Sequence, residues 1–373
     1  MKSLGRKPAG SRLERIRGSP QWAGERFLNL HPIIAGLRDP NASLPTVREL
    51  LWGGEQRIPG TPLPSVNPLS GWATPPASGL RVTWLGHSTV LIEIDGVRVL
   101  TDPVWGARAS PSRLIGPKRF QPVPVPIRAL PPVDAVLISH DHYDHLDYPT
   151  IARLRKWQVP FVTSLGVGAH LEAWGVPPEN IIELDWWEAY ALPRAALTIT
   201  AAPSQHFSGR TLKTRNSTLW SSMVIRSEKH TVFFSGDTGL TTEYQVIRQR
   251  LGPFDLVMLE IGGFHPAWGD MHLGPENALK ACAFLSSGPF MPIHWGTFAL
   301  AMHAWYQPPE TLLELAPRAG TQLMMPRLGE PAEPAHATSV QPWWRAAESV
   351  ARRRRRGPHV TAALPKSVSW PMD

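Results

Sequence analysis

Cysteine is almost absent from this sequence, and long apolar runs are missing. The single thiol, Cys282, has no partner for an internal disulfide, so the core and any bound metal have to stabilise the fold. The longest apolar stretches, such as 254–259, fall far short of the roughly 20 residues that a membrane-spanning helix needs. We therefore expect a protein of the reducing cytoplasm that does not span a membrane.

Acidic residues are scarce in two basic stretches near the ends of the chain. The net charge is +8, and residues 1–26 and the arginine run at 352–356 each carry +5, which leaves −2 for the remainder. A basic protein often binds nucleic acid, but this excess lies outside the part that is predicted to fold, so no nucleic-acid partner is expected. The basic ends either remain solvated or make peripheral contact with an anionic membrane.

Composition divides the 373 residues into three parts. Residues 1–78 are rich in Pro, Gly and polar side chains and are predicted to form a partly irregular extension, with short helices near 41–52. Between 79 and 330, strand-like and helix-like patterns alternate, which predicts one α/β domain. Residues 331–373 are rich in Pro, Ala and Arg and are predicted to be a disordered basic tail.

The apolar pattern also predicts individual elements of the central domain. Strands are expected at 82–85, 90–94 and 97–101, and Asp95-Gly96 is typical of a hairpin turn between the last two. Helices are predicted at 148–157, 166–174, 242–250 and 275–284.

Potential metal ligands are concentrated directly after a predicted buried strand at 133–138. Within six residues the chain presents His140, His142, Asp144 and His145. Imidazole and carboxylate groups together are typical ligands of zinc and related transition metals. Chance rarely produces this density in a polar loop, so the spacing predicts a metal site.

Each of three further predicted strands is followed by a ligand-type residue just past its end. These are the strands at 197–202, 231–234 and 290–293, which precede His206, Asp237 and His294. Strand ends in an open α/β sheet face one edge, so these residues are expected to meet the first four. Seven ligands exceed one tetrahedral site and divide into two, with Asp144 in one and Asp237 as the bridge. Two zinc ions so placed would activate water and polarise a substrate oxygen.

These motifs are similar to those of a known family. The pattern H-x-H-x-D-H, followed by distant His, Asp and His, resembles the metallo-β-lactamase superfamily, whose members are four-layer αββα sandwiches with two metals at the sheet edges. Longer strings together resemble the N-acylphosphatidylethanolamine-hydrolysing phospholipase D family. They lie at 85–89, 101–103, 109–112, 116–120, 184–187, 203–206 and 293–300. The resemblance covers about residues 81–330 in unbroken order.

The resemblance implies roles for these residues. One zinc would be held by His140, His142 and His206, the other by Asp144, His145 and His294, and Asp237 would be shared. The implied activity is a phosphodiesterase that releases phosphatidate and an N-acylethanolamine from a phospholipid. Its catalytic residues would be Asp144, Asp237 and His272, with His272 as a general acid near the leaving group.

Two other functions fit the same ligands. A zinc site of this kind also hydrolyses lactones or amides, and fold alone does not choose between these reactions. The third possibility is a metal-stabilised, membrane-associated protein without turnover, although structural zinc sites are usually closed, Cys-rich and mononuclear. The sequence predicts no oligomeric state.

Several further residues have two interpretations each. Asp102 and Asp147 are predicted either to hydrogen-bond the metal-binding histidines or to cap turns. His87 is either an active-site contact or a buried structural histidine. The Lys118-Arg119 pair either meets a phosphate or is solvated.

Most of the 16 tryptophans are expected in the core, with a few as an apolar lip for an acyl chain. The remaining histidines that we interpret as structural or surface residues are His170, His230, His265 and His303.

Overall fold

A computed structural model describes residues 2–33, 56–193, 195–265, 269–286 and 288–347. The helices predicted near 41–52, the side chain of Trp268 and the arginine run at 352–356 lie outside these residues. No helix in the described part of the chain is long and apolar enough to cross a membrane.

Thirteen strands and six α-helices follow one another along the described residues. The strands are β1 (Leu80–Gly86), β2 (Thr89–Ile94), β3 (Val97–Thr101), β4 (Ala135–Ile138), β5 (Phe161–Ser164), β6 (Ile181–Leu184), β7 (Ala189–Ala191), β8 (Thr198–Ala202), β9 (Ser222–Arg226), β10 (Thr231–Phe234), β11 (Leu256–Glu260), β12 (Phe290–Ile293) and β13 (Pro331–Ala332). The helices are α1 (Ser11–Arg17), α2 (Tyr148–Leu154), α3 (Gly168–Ala173), α4 (Glu243–Leu251), α5 (Gly274–Leu285) and α6 (Gln307–Leu315).

The strands form two mixed sheets. The first has the order β13-β1-β2-β3-β4-β5-β6 and the second β12-β11-β10-β9-β8-β7. In the first sheet β3 to β6 are parallel, and in the second β10, β11 and β12 are parallel. Two antiparallel pairings, β8 with β9 and β9 with β10, make β8 run in the same direction as β10. The carboxyl ends of β8, β10, β11 and β12 therefore meet at one edge.

Alternating side chains of β4 show how the layers are built. Ala135 and Leu137 pack in the core that the two sheets share, whereas Val136 and Ile138 pack on the other face with Ile151 of α2. Helices α4, α5 and α6 pack against the second sheet. A strand buried on both faces explains the continuous apolar run in its sequence. The resulting αββα sandwich confirms the predicted fold class.

The predicted local elements of the domain are confirmed as well. Asp95 and Gly96 connect antiparallel β2 and β3 with φ values of 46° and 86°, as a type I′ turn requires. The four predicted helices occur as α2, α3, α4 and α5, with ends displaced by no more than three residues.

The N-terminal extension packs on the sandwich through its own small core. Ile16 of α1 and Phe27 are buried in a cluster with Leu165 and Trp220. Arg12 of α1 forms an ion pair with Glu183 at the end of the first sheet. This part of the extension is therefore an ordered layer over the edge that carries β6.

The chain beyond residue 330 departs from the prediction. Ala332 of β13 pairs with Val82 and so extends the first sheet, and Trp344 is fully buried with its ring 5.7 Å from that of Trp295. The prediction of a disordered tail is therefore wrong for residues 331–347. Burial of the tryptophan side chain stabilises this segment on the domain despite the surrounding Pro and Ala.

Candidate metal centre

All seven predicted ligands come together around Asp237, at the edge where the strand ends meet. The loop after β4 contributes four of them, and the loops after β8, β10 and β12 contribute one each. Together with His87, they fall into two groups, in each of which the ligand atoms lie within 4.8 Å of one another. We call the first group, His140, His142, His206 and Asp237, the trihistidine group. The second, His87, Asp144, His145 and His294, is called the Asp144 group.

In the trihistidine group, three ring nitrogens point at one another. His142 Nδ1 lies 2.9 Å from His140 Nε2 and 3.3 Å from His206 Nε2. Asp237 Oδ2 lies 3.9 Å from His140 Nε2 and 3.7 Å from His206 Nε2. Three imidazoles and one carboxylate are a donor set that would suit a transition-metal ion such as zinc.

In the Asp144 group, the same Asp237 oxygen approaches the rings more closely. Asp237 Oδ2 lies 3.1 Å from His145 Nε2 and 3.2 Å from His294 Nε2. Asp144 Oδ2 lies 3.5 Å and 3.4 Å from the same two nitrogens. Asp237 thus stands between the groups, in the position predicted for a bridge.

Orphaned polar atoms test whether metal ions fit here. His145 Nε2, both ring nitrogens of His294 and Asp237 Oδ1 are buried and make no hydrogen bond among the described residues. Burying such atoms without a partner is costly, and native proteins almost always satisfy them. Imidazole nitrogens and carboxylate oxygens aimed inward fit transition-metal ions, so the residues present suit the predicted cofactor.

Asp102, which follows β3, orients ligands of both groups. Its Oδ2 lies 2.7 Å from His145 Nδ1, and it also accepts hydrogen bonds from the Ser139 amide at 2.8 Å and the Ser139 hydroxyl at 2.7 Å. Ser139 Oγ in turn lies 2.9 Å from His140 Nδ1. These bonds turn the Nε2 atoms of His140 and His145 towards the centre, as predicted for a carboxylate that supports metal-binding histidines.

His87 belongs to the site as well. Its Nε2 lies 3.0 Å from Asp144 Oδ2, and its ring centroid is 4.1 Å from that of His294. Burial, assisted by the charge of His294, lowers the pKa of His87 to about 3. A neutral His87 therefore donates to Asp144 and fixes the orientation of that carboxylate, which favours the active-site interpretation.

Asp147 and Arg119 have structural roles. Asp147 caps α2 by accepting from the Thr150 amide at 3.1 Å, and it also accepts from the Gly106 amide at 2.9 Å. The capping interpretation therefore holds for Asp147. Arg119 donates to the carbonyls of Val104 at 2.7 Å and Gly106 at 3.0 Å, so it shapes the loop after β3. Since its guanidinium is bonded to these backbone carbonyls, the interpretation of Arg119 as a solvated cation is wrong, and the phosphate contact stays a prediction.

Burial and charge make the two groups electrostatically different. Burial lowers the pKa of His142 and brings those of His140 and His206 well below their usual value. Burial also acts to lower the pKa values of His145 and His294, but Asp237 overcomes it. The pKa of His145 lies well above its usual value, and that of His294 is raised to about 10. The three histidines of the trihistidine group are therefore neutral, as metal binding requires, whereas His145 and His294 of the Asp144 group hold protons.

His272, the predicted general acid, stands beside both groups and is held by Glu260. Its Nδ1 lies 2.7 Å from Glu260 Oε2 and 3.9 Å from Asp237 Oδ2. Its ring centroid is 5.1 Å from that of His206 and 5.4 Å from that of His294. Burial acts to lower the pKa of His272, but Glu260 raises it above its usual value. The raised pKa favours the protonated form of His272, which is the form that a general acid requires.

Glu260, which the sequence analysis missed, supports this edge of the site. It is fully buried at the end of β11, and its Oε1 accepts from the amides of Thr238 at 2.8 Å and Leu273 at 3.2 Å. With Asp237, His272 and His294 it forms a third group of close ligand atoms. The available signal was an acidic residue ending the apolar run at 254–259.

The backbone around Asp237 needs glycine. Gly236 has φ of 54°, and a Cβ there would lie 2.6 Å from Ser139 Cβ. A Cβ on Gly239 would lie 1.8 Å from the Asp270 carbonyl oxygen. These contacts explain why glycine stands on both sides of Asp237, where the backbone turns sharply beside the ligand groups.

The N-terminal extension also supports a ligand. The Asn29 side chain donates to the His206 carbonyl at 2.8 Å and accepts from the His206 amide at 3.0 Å. His206 Nδ1 lies 2.9 Å from the Met271 carbonyl oxygen, so Nε2 faces the trihistidine group. Asn29 thus fixes the backbone of His206, and the Met271 carbonyl fixes its ring.

The other histidines make structural contacts. His170 Nδ1 accepts from the Arg6 amide at 3.1 Å, His230 Nδ1 lies 3.1 Å from Asp95, and His303 Nε2 accepts from the Gly263 amide at 3.2 Å. His265 is half-buried. None of the four belongs to the ligand groups found among the described residues.

An αββα sandwich with His and Asp ligands at its strand ends is the metallo-β-lactamase fold, the fold of a class of metal-dependent hydrolases. Residues 97–295 match the Beta-lactamase superfamily domain. The chain belongs to this superfamily and is a metal-dependent hydrolase.

Individual relatives are consistent with this assignment. The chain is 44% identical over 331 residues to an uncharacterized protein of Mycobacterium tuberculosis, covering 88% of each. It is 37% identical over 253 residues to N-acyl-phosphatidylethanolamine-hydrolyzing phospholipase D 1 of Caenorhabditis elegans, covering 64% of this chain and 70% of that protein. A metallo hydrolase structure from Ignicoccus hospitalis has a TM-score of 0.54 at 23% identity, covering 68% of this chain and 97% of that one. This last likeness concerns the fold alone.

Proposed function

We propose that this protein is a two-zinc phosphodiesterase of phospholipase D type that acts on N-acylphosphatidylethanolamine-like lipids. The products would be phosphatidate and an N-acylethanolamine. The observation that carries the proposal is the placement of Asp237 between two ligand groups, with His272 and Glu260 beside it.

The donor set is compatible with the two ion positions that the sequence resemblance implies. One zinc would lie in the trihistidine group and the other would be held by Asp144, His145 and His294, with Asp237 shared. When bound, such a pair of ions polarises a phosphoryl oxygen and makes water nucleophilic at neutral pH.

The residues of the chain itself supply orientation and a proton. Asp102 and His87 hold the second group in place through His145 and Asp144. His272 shares a hydrogen bond with Glu260 through Nδ1, so its Nε2 is the nitrogen that would protonate the departing ethanolamine oxygen. Asp144 keeps 13% of its side chain exposed and would face the substrate.

The phosphodiester specificity is supported by the relatives. The phospholipase D of Caenorhabditis elegans matches this chain over 253 residues, far more than the ligand motifs alone. The raised pKa of His272 agrees with a phosphodiester substrate, because the alkoxide that leaves from such a substrate needs a proton.

Hydrolysis by purified, zinc-loaded protein tests the proposal. N-acylphosphatidylethanolamine in detergent micelles, a lactone and a β-lactam are incubated in parallel, and products are identified by mass spectrometry. We expect phosphatidate and N-acylethanolamine in equal amounts, from protein that contains about two zinc ions per chain by elemental analysis. Faster lactone or β-lactam hydrolysis with an intact phospholipid would assign an acyl-transfer reaction instead. No turnover at full metal content would leave a metal-stabilised binding protein.

A further inference from the structure

Two loops near the metal centre contain no acidic residue and end in exposed aliphatic side chains. Asp and Glu are absent from 103–133 and from 189–227. Leu114 and Ile115 are 84% and 71% exposed, and Leu212 is 99% exposed. Large aliphatic side chains at such exposure cost solvation free energy unless a partner covers them.

The first of these loops is a fixed protrusion. Ala109 and Pro117 pair through their backbones at 3.0 Å, and the Arg108 guanidinium donates to the Arg113 carbonyl at 3.1 Å and the Gly116 carbonyl at 2.6 Å. Residues 109–117 therefore form a hairpin-like loop that presents Leu114 and Ile115 at its tip.

The second loop, residues 209–216, is joined to the first. The Ser3 hydroxyl donates to the Pro111 carbonyl at 2.6 Å, and the Arg210 guanidinium donates to the Ser3 carbonyl at 2.8 Å. Ser3 thus bridges the two loops, and the Leu212 side chain projects from the second into solvent.

Tyr143, which stands between His142 and Asp144 in the sequence, connects both loops to the metal centre. The Tyr143 hydroxyl donates to the Arg210 carbonyl at 2.6 Å, and its ring packs with Ala109 and Phe298. Phe298 in turn lies 5.3 Å from the His87 ring. The exposed aliphatic side chains are therefore placed at the rim of the site.

The charges around the three aliphatic side chains are of one sign. Exposed cations on the two loops, directly after the first loop and on the adjoining N-terminal segment include Lys2, Arg6, Lys7, Arg113, Lys118, Lys213 and Arg215. We propose that the 109–117 and 209–216 loops form a docking surface for an anionic lipid bilayer, into which Leu114, Ile115 and Leu212 insert. Aliphatic tips among cations match the chemistry of that surface, apolar below and negative at the head groups.

The docking surface rests on the proposed function in one respect: a lipid substrate is the reason for this protein to meet a membrane. Nucleic acid would also attract the cations, but stacked bases are bound by exposed aromatic side chains, and the tips here are aliphatic. Trp186, Trp220 and Trp295, which lie near the family motifs, are buried and do not compete for this role.

Cosedimentation of the zinc-loaded full chain with phosphatidylcholine vesicles, with and without phosphatidylglycerol, tests the docking surface without any turnover. The variants are the double change Leu114→Asp and Ile115→Asp, the single change Leu212→Asp, and Lys213→Glu. Matched controls are Leu69→Asp, 47% exposed outside both loops, and Lys229→Glu in the turn before β10, at the end of that strand away from the metal centre. Metal content and melting temperature confirm that each variant folds.

We expect binding to phosphatidylglycerol vesicles, with about a tenfold or greater loss in the double variant and in Leu212→Asp. Lys213→Glu should weaken binding by a few-fold, less so at high salt, and both controls should bind as the parent does. Equal binding by the loop variants and the parent would overturn the proposal, as would a parent that binds duplex or single-stranded nucleic acid through these loops and ignores vesicles. Vesicle binding without phospholipid hydrolysis in micelles would contradict the proposed function alone.

Discussion

The trihistidine group and the Asp144 group both lie against the Asp237 carboxylate, but their histidines differ in protonation. In the first, Asp237 lies 3.7 Å or more from the His140 and His206 nitrogens, and burial keeps the histidines neutral. In the second, Asp237 and Asp144 both stand among the rings, and the pKa of His294 rises to about 10. Similar ligands therefore start from different protonation states.

This difference has a consequence for metal binding. A metal ion in the trihistidine group replaces no proton on its histidines, whereas an ion in the Asp144 group has to displace protons from His145 and His294. We therefore expect the trihistidine group to fill first at neutral pH and the Asp144 group to fill second.

The largest effect is expected where the groups meet. Asp237→Ala removes the shared carboxylate, so two cations would face each other without it, and phosphodiester hydrolysis should fall by about a thousandfold or more. Circular dichroism should show a folded protein. Asp134→Ala is the matched control, because Asp134 is exposed at the opposite end of β4. Activity of Asp237→Ala within about tenfold of the parent would show that Asp237 does not bridge two ions.

Substitution of His272, which lies beside both groups, tests whether this histidine protonates the leaving oxygen. His272→Ala should slow hydrolysis of N-acylphosphatidylethanolamine by roughly 10²- to 10⁴-fold, because its leaving alkoxide needs a proton. A nitrophenyl phosphodiester, whose nitrophenolate leaves without one, should be hardly affected, and zinc content should stay constant. His230→Ala, in the turn before β10, serves as control. Equal losses for both substrates would give His272 a positioning role, and loss of zinc would make it a ligand.

The pH dependence of metal uptake separates the groups directly. Because the pKa of His294 is raised to about 10 and that of His145 is raised well above its usual value, both carry protons between pH 6 and 8 in the metal-free protein. Each displaced proton should raise affinity for the second ion by about tenfold per pH unit, while the first ion should bind with little pH dependence. Calorimetric titration with zinc in buffers of different ionisation enthalpy measures the protons released. Equal release by both ions would contradict the difference between the groups.

The ligands could be predicted from sequence because each follows a strand directly. His206, Asp237 and His294 stand just after short apolar runs, and parallel strand ends meet at one edge, so chemistry and position are both local signals. Glu260 escaped because it is the last residue of its strand and its partner His272 comes from a separate loop. The sequence positions of Glu260 and His272 do not show that their side chains form a hydrogen bond.

Contacts between distant parts of the chain account for the other departures. Asn29 reaches His206 across 177 positions, and composition predicted only an irregular extension there. The tail prediction failed at 331–347 because Pro and Ala dominate its composition, while one buried Trp344 and a two-residue strand hold it in place. The Trp343-Trp344 pair was the one sequence signal for packing in that segment.

The smallest effect should come from the carboxylate that serves both groups indirectly. Asp102→Asn keeps the shape of the side chain but removes the charge that orients His145 and, through Ser139, His140, so zinc affinity should fall by about 10- to 100-fold. Asp147→Ala is the comparison, because Asp147 caps α2 and should cost about 1 kcal/mol of stability with unchanged affinity. Competition with a zinc chelator measures affinity, and thermal unfolding measures stability. If Asp102→Asn kept full affinity for both ions, the hydrogen bonds to His145 and Ser139 would support only the fold. A loss confined to one ion would instead identify the group that depends on Asp102, since His145 is bonded directly and His140 only through the Ser139 hydroxyl.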